Sequence, residues 1–246
     1  MAFSDCKGIK ISVITATFNA VKELPGLIES LRGQVYKDFE WIVADGGSTD
    51  GTLELLSSIK DLNILISSVE DFGIYDGLNR GVKASSGQYY LVLGADDRVY
   101  PEALSEYAKN ACGVDFVTAA VRFGERLSVP LKVRSWQYGH HTYVSAHSVG
   151  LLINKNLHEQ YGYYSRKFPI AADQYFILSA IKGGANLIET DVEVGIHGVD
   201  GLSGTDRTGV ITEFFRVQVL VGEGLLLQSV ICAIRLLKFA LCDRFR

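Results

Sequence analysis

Apolar runs of strand length alternate with helical spacings through the first 110 residues, and that alternation leaves few folds open. Ile9, Ile11 and Val13 alternate before the run turns wholly apolar through residue 16, as a buried strand does. Leu24, Leu27, Ile28 and Leu31 then recur at helical spacing over residues 22–33. Strands are expected again at 39–44, 63–67 and 88–93, with helices at 52–59, 74–84 and from Pro101 to about residue 110. Such an order calls for a mostly parallel α/β sheet of Rossmann-like type, flanked by helices.

The second half is less regular. Strands are expected at 116–123, 131–133 and 185–194, and a helix at 172–182 closed by Gly183-Gly184. The chain therefore divides into a ligand-binding half at 1–110, a second half of the same domain at 111–210, and an apolar, partly basic helical tail at 211–246. Within that tail the longest charge-free run, 224–234, is shorter than the roughly 20 residues of a membrane-spanning helix. Arg235, Lys238, Arg244 and Arg246 give its end a basic character. The tail fits a helix packed on the domain or on another subunit, or one lying on a membrane surface.

Composition excludes several classes. With 48% hydrophobic residues among 246, the chain buries a sizeable core and is not disordered. A net charge of −4 lacks the basic excess of a nucleic-acid binder. Cys6, Cys112, Cys232 and Cys242 form no C-x-x-C pair and read as reduced thiols. The opening residues lack the apolar stretch of a secretory signal, so a cytoplasmic protein is expected, peripheral on the inner membrane face if the tail meets lipid.

In open α/β sheets ligands bind beyond the carboxyl ends of the strands. Three polar clusters fall there: Thr15-Ala16-Thr17-Phe18-Asn19, Asp45-Gly46-Gly47-Ser48-Thr49-Asp50 and Gly94-Ala95-Asp96-Asp97. Adjacent carboxylates repel unless a cation neutralises them, and hard divalent ions favour such oxygens, so Asp96 and Asp97 suit a Mg2+ or Mn2+ diphosphate site. The alternative is a turn with Asp97 as a helix cap. Asp45 suits a hydrogen bond from a nucleobase N–H or a ribose hydroxyl; its alternative is a capped glycine turn. Neither G-x-x-x-x-G-K-[ST] nor G-x-G-x-x-G is present.

With Asp71-Phe72-Gly73-Ile74-Tyr75-Asp76-Gly77-Leu78-Asn79-Arg80-Gly81 added between the second and third clusters, the chain resembles the family 2 glycosyltransferases of GT-A fold. The likeness is strong over 9–110, thinner to about 205, and stops before the tail. It implies a nucleotide-sugar donor of UDP or GDP type, a divalent metal, and inversion at the anomeric carbon. It places Ala16, Thr17 and Asn19 at the nucleotide, Asp45 on the base, Asp71 and Asn79 beside the ribose and diphosphate, and Asp96 and Asp97 on the metal and ribose. Ala16 stands where a proline is common, and Gly94 where the first acid of D-x-D often stands.

The resemblance also implies a carboxylate base at a helix start in the second half, and Asp173 in Pro169-Ile170-Ala171-Ala172-Asp173 fits it. The alternative for Asp173 is an ordinary acidic residue at a helix N-terminus. His147 is expected near the acceptor and His197 near the diphosphate or metal; the alternative for each of the histidines is a plain structural role. His140 and His141 lie in a tyrosine-rich loop that suits sugar contact, and 200–205 reads as a mobile lid. The acceptor implied is a glycan or lipid-linked sugar of a bacterial polysaccharide pathway. The competing function is a noncatalytic nucleotide- or glycan-binding subunit that docks on a partner through its tail.

Overall fold

The computed structural model describes residues 8–198 and 206–243. In chain order the strands are β1 Ile11–Thr17, β2 Phe39–Asp45, β3 Ile64–Ser68, β4 Tyr89–Val92, β5 Arg98–Val99, β6 Phe116–Phe123, β7 Arg126–Ser128, β8 Leu151–Asn154 and β9 Leu187–Ile196. The helices are α1 Leu24–Arg32, α2 Thr52–Ser58, α3 Ile74–Ala84, α4 Ala103–Asn110, α5 Ser135–Tyr138, α6 Leu157–Tyr161, α7 Ala172–Lys182, α8 Arg207–Leu220 and α9 Leu225–Asp243.

One sheet runs in the order β3-β2-β1-β4-β8-β6-β9-β5, with β7 hairpinned onto β6. Its β3-β2-β1-β4 part is parallel throughout. Beyond β4 it is mixed: β8 runs antiparallel to both β4 and β6, while β9 is parallel to β6. The chain winds outward from β1 to β3 and then crosses to β4 on the other side of β1. The carboxyl ends of β1 and β4 thus form the switch point at which α/β sheets bind ligands.

Strand periodicity explains the two cores. Ile11 and Val13, Trp41 and Val43, and Tyr89 and Leu91 face one layer with Leu24, Leu31, Leu56 and Tyr107 of the helices. Ile14, Ile42, Tyr90 and Val92 point the other way, onto Leu78 of α3, Leu157 of α6, Phe176 of α7 and Val217 of α8. Helix α3 lies flush on β1: a Cβ on Gly81 would stand 2.4 Å from Ile14 Cγ2. Only glycine permits that approach.

Two expectations need correction. Residues 131–133 are not a strand; the N–H groups of Leu131 and Lys132 donate instead to the carbonyls of His141 and Thr142 in a short 3-10 turn. The neighbouring strand is β7, joined to β6 by a tight turn with Gly124 at φ 56°. Cys112 is disulfide-bonded rather than reduced, while Cys232 is free.

The tail is helical, and its first helix belongs to the body. Glu213, Phe214, Val217 and Gln218 of α8 are buried. Helix α9 is tied down on one side: Gln228 donates to the Trp136 carbonyl at 2.8 Å and Arg235 to the Gln137 carbonyl at 2.5 Å. The Arg235 guanidinium also lies 4.1 Å from the Phe214 ring centre. On the other side Leu226, Val230, Ile234, Leu237 and Leu241, three or four residues apart, are exposed. Among the described residues no helix is long and apolar enough to cross a membrane. Arg244 and Arg246, like the expected lid at 200–205, lie outside the described residues.

Candidate active site

A cavity of about 450 Å³ opens at the switch point. Ala16 from β1, Tyr75 from α3, Asp96 and Asp97 after β4, His147, Asp173 from α7 and His197 after β9 all line it. His140 and His141 line it as well, from the 3-10 turn.

Asp97 is the buried member of the acidic pair, 1% exposed. Its Oδ2 accepts from the Gly94 N–H at 2.6 Å and from the Ser148 hydroxyl, and its Oδ1 from the Gly198 N–H at 2.8 Å. Asp97 therefore ties three loops together. Asp96 lies over Gly198, where a Cβ would come within 1.8 Å of Asp96 Oδ2. A Cβ at position 94 would stand 2.9 Å from Asp96 Oδ1 and 3.1 Å from Asp97 Oδ2. Two carboxylates already fill the space that a first acid would use, which accounts for Gly94.

His197 Nδ1 donates to the Gly198 carbonyl at 2.5 Å and lies 3.8 Å from Asp97 Oδ1. With Nδ1 engaged in this way, Nε2 is the ring nitrogen left to face a ligand. Two carboxylates and an imidazole suit Mg2+ or Mn2+ chemically. Among the described residues, however, no three His, Cys, Asp or Glu side chains are gathered into a ready cation cage.

The base expected on α7 is well held. The Tyr75 hydroxyl lies 2.7 Å from Asp173 Oδ1 and 2.8 Å from the Ile170 carbonyl. Its single hydrogen favours the charged acceptor. Burial, with the nearby Asp173 charge, pushes the Tyr75 hydroxyl well above its usual range, so it stays a donor. Asp173 Oδ2 faces His147 Nδ1 at 3.8 Å. No side chain caps α7 from its own sequence. Glu213 of α8 does so instead, accepting from the N–H groups of Ile170 at 3.0 Å and Ala171 at 2.8 Å.

The remaining predicted residues form an adjoining network rather than the cavity wall. Asp45 is fully buried. Its Oδ1 accepts from Thr17 at 2.9 Å and Ser48 at 2.5 Å; its Oδ2 accepts from the N–H groups of Gly47 and Ser48 at 2.9 Å and from Ser68 at 2.7 Å. Burial alone would raise this carboxyl, but the bonds from Ser48, Ser68 and Thr17 hold it below its usual range. Every direction around it is taken, so a base N–H reaches Asp45 only by displacing a hydroxyl.

Asn19, at φ 50°, accepts from the Thr49 N–H at 2.9 Å and fixes the same loop. Asp71 pairs with Arg80 at 2.9 Å and packs over Gly46. The Asn79 amide exchanges hydrogen bonds with the Tyr164 backbone, 2.9 Å out and 3.0 Å back, and it does not line the cavity. Tyr75, Ser148, Tyr164 and Glu213 were not singled out by sequence reasoning. Of these only Tyr75 carried a signal, as part of the 71–81 motif.

The sequence profile of Glycosyl transferase family 2 matches residues 12–170, more than half of the chain. The protein belongs to that family. It is 39% identical over 92 residues to the PGL/p-HBAD biosynthesis glycosyltransferase of Mycobacterium bovis, a match covering 36% of each chain. The chain thus spans about a third of the length of that relative. An uncharacterized glycosyltransferase of Mycobacterium tuberculosis is 32% identical over 181 residues, 69% of this chain and 68% of that one.

Among solved structures, S. aureus TarS in complex with UDP-GlcNAc aligns with a TM-score of 0.70 at 21% identity, over 92% of this chain and 71% of the other. A mannosyltransferase from Pyrobaculum calidifontis, in complex with GDP-Man and Mn2+, aligns at 0.69 and 17% identity, over 94% and 74%. At such identity the likeness speaks for the fold, which is the expected GT-A type.

Proposed function

We propose that this family 2 protein is a metal-dependent, inverting glycosyltransferase. It takes a sugar from a UDP- or GDP-linked donor and passes it to a glycan or lipid-linked acceptor. The observation that carries the reading is the meeting of Asp96, Asp97 and His197 with Asp173 in one cavity at the switch point. The solved relatives bound to UDP-GlcNAc, or to GDP-Man with Mn2+, support the donor class.

In this reading the donor diphosphate lies beside Asp96 and His197. Asp96 and Asp97 would hold the metal together, and Asp97 also holds the loops through Gly94, Ser148 and Gly198. A divalent cation held there would stabilise the charge of the departing diphosphate. Thr17, Asn19, Asp45 and Asp71 shape the nucleotide end, and Asn79 braces α3 instead of touching the donor.

Asp173 Oδ2 takes the proton of the acceptor hydroxyl as that oxygen bonds to C1. Oδ1 is not free for this task because Tyr75 donates to it. The bond from C1 to the diphosphate oxygen breaks on the opposite face, which inverts the anomeric centre. Exposed Leu226, Val230, Ile234, Leu237 and Leu241 on α9 support a peripheral membrane contact that keeps the enzyme near a lipid-linked acceptor. Among the described residues, Lys238 is the exposed basic residue beside that stripe, since Arg235 turns inward.

Calorimetric titration with UDP and GDP, each with and without Mn2+, tests the donor site. One nucleotide is expected to bind only with the metal present. No binding of either nucleotide to folded protein would favour the noncatalytic subunit instead.

A further inference from the structure

A buried line of polar groups leads away from Asp173 through the core. His147 Nε2 lies 2.8 Å from the Tyr164 hydroxyl, which lies 2.7 Å from the Tyr90 hydroxyl. Tyr90 lies 2.8 Å from His158 Nε2, and His158 Nδ1 lies 3.0 Å from the Gly162 carbonyl. Tyr90, Tyr164 and His158 are all buried, and Tyr90 and His158 do not line the cavity.

The far end of this line fixes the direction of every bond in it. A carbonyl only accepts, so His158 Nδ1 must carry the hydrogen. Burial pushes His158 down to about 4, so its ring is neutral and Nε2 is an acceptor. Tyr90 then donates to His158 and can only accept from Tyr164. Tyr164 has given its hydrogen to Tyr90 and can only accept from His147. The hydrogen of neutral His147 is thereby placed on Nε2, and its Nδ1 lone pair faces Asp173 Oδ2 at 3.8 Å.

We propose that His147 is a positioning residue for the Asp173 base, set by this relay so that a bare Nδ1 faces Oδ2 before the reaction and accepts from the protonated Oδ2 after it. The proposal rests on Asp173 being the base. A histidine with its hydrogen on Nδ1 would bond Oδ2 in the resting enzyme and blunt its basicity. The relay prevents that. During transfer the acceptor O–H bond breaks and its proton moves to Oδ2. The acceptor oxygen bonds to C1, and the electron pair of the broken C1–O bond leaves on the diphosphate. The new Oδ2–H then finds the Nδ1 lone pair instead of a competing donor.

The test reads the tautomer directly. Nitrogen NMR of histidine-labelled protein, with the His147 signals assigned by His147→Gln, is expected to show the hydrogen on Nε2. Tyr90→Phe removes the acceptor of Tyr164, whose hydroxyl is then free to donate to His147 Nε2. The His147 hydrogen should move to Nδ1, and turnover should fall about tenfold with donor KM unchanged. Tyr164→Phe, which deletes the partner of Nε2, should do the same and serves if Tyr90→Phe does not fold.

A hydrogen on Nδ1 in the unmutated protein would overturn the proposal, as would a folded Tyr90→Phe variant with unchanged His147 signals and turnover. The two readings fail separately. Retained turnover in Asp173→Asn overturns the base assignment, whereas an Nδ1 hydrogen in the unmutated protein overturns the relay alone.

Discussion

Glu213 of α8 accepts hydrogen bonds from the backbone N–H groups of Ile170 and Ala171, immediately ahead of the turn that carries Asp173. A helix from the C-terminal segment therefore caps the helix that presents the proposed base. The bonds involve a charged acceptor and a buried backbone, so their loss leaves unpaired donors. Glu213→Ala should lower unfolding free energy by about 2–4 kcal/mol, read by urea denaturation. Turnover should fall further than stability alone explains, because Asp173 is then loosely placed.

Tyr75→Phe tests the second support of the same carboxylate. It removes the donor to Asp173 Oδ1 and leaves the ring packing in place. The expected result is a fall in kcat of about tenfold with little change in nucleotide affinity. Unchanged kcat would mean that Oδ1 needs no partner.

Gly198→Ala tests the acidic centre without touching its charges. The added methyl would meet Asp96 Oδ2 at 1.8 Å, so that carboxylate must move. Mn2+ binding, followed by calorimetry or by the electron spin resonance of the ion, should weaken at least about tenfold, the loss of one well-placed ligand. Asp96→Asn should do the same. Asp97→Asn should also cost fold stability, since Asp97 binds Gly94, Ser148 and Gly198.

Glu40 carries a pH-dependent share of stability at the opposite end of β2. Burial acts to raise its carboxyl, but hydrogen bonds from Ser12 and Ser86 and the Lys10 charge hold it down to about 2 from 4.5. A depressed folded pKa stabilises the protein above the unfolded value, and the gain is lost as pH falls through the folded one. The gap in unfolding free energy between the native protein and Glu40→Gln should therefore narrow by about 2 kcal/mol between about pH 7 and about pH 3. A gap that does not change with pH would refute this.

Most of the parallel half of the sheet was legible because its signals are local. Alternation of Ile11, Val13 and Ile14 sorts these side chains between two faces, and the two cores receive them accordingly. The polar clusters after β1, β2 and β4 were legible for the same reason, since strand ends in a parallel sheet share one edge. Residues 131–133 misled because Leu131 and Val133 carry strand propensity, while their place in the fold is set by the carbonyls of His141 and Thr142. Propensity yields to tertiary context in this way.

The supports of the site were not legible. Glu213 and Ile170 are 43 residues apart, and Tyr75 and Asp173 are 98 apart. No local period announces such a pair. Nor does a local period announce the bonds between the Asn79 amide and the Tyr164 backbone, 85 residues away.

The central claim is that Asp173 removes the proton from the attacking hydroxyl. Its most direct test is Asp173→Asn, assayed for nucleoside diphosphate release from the donor that calorimetry selects. Release should fall by at least about 100-fold, the usual span of a general base, while calorimetric affinity for the nucleotide and metal stays the same. Release at the unmutated rate by a folded Asp173→Asn protein would contradict the account.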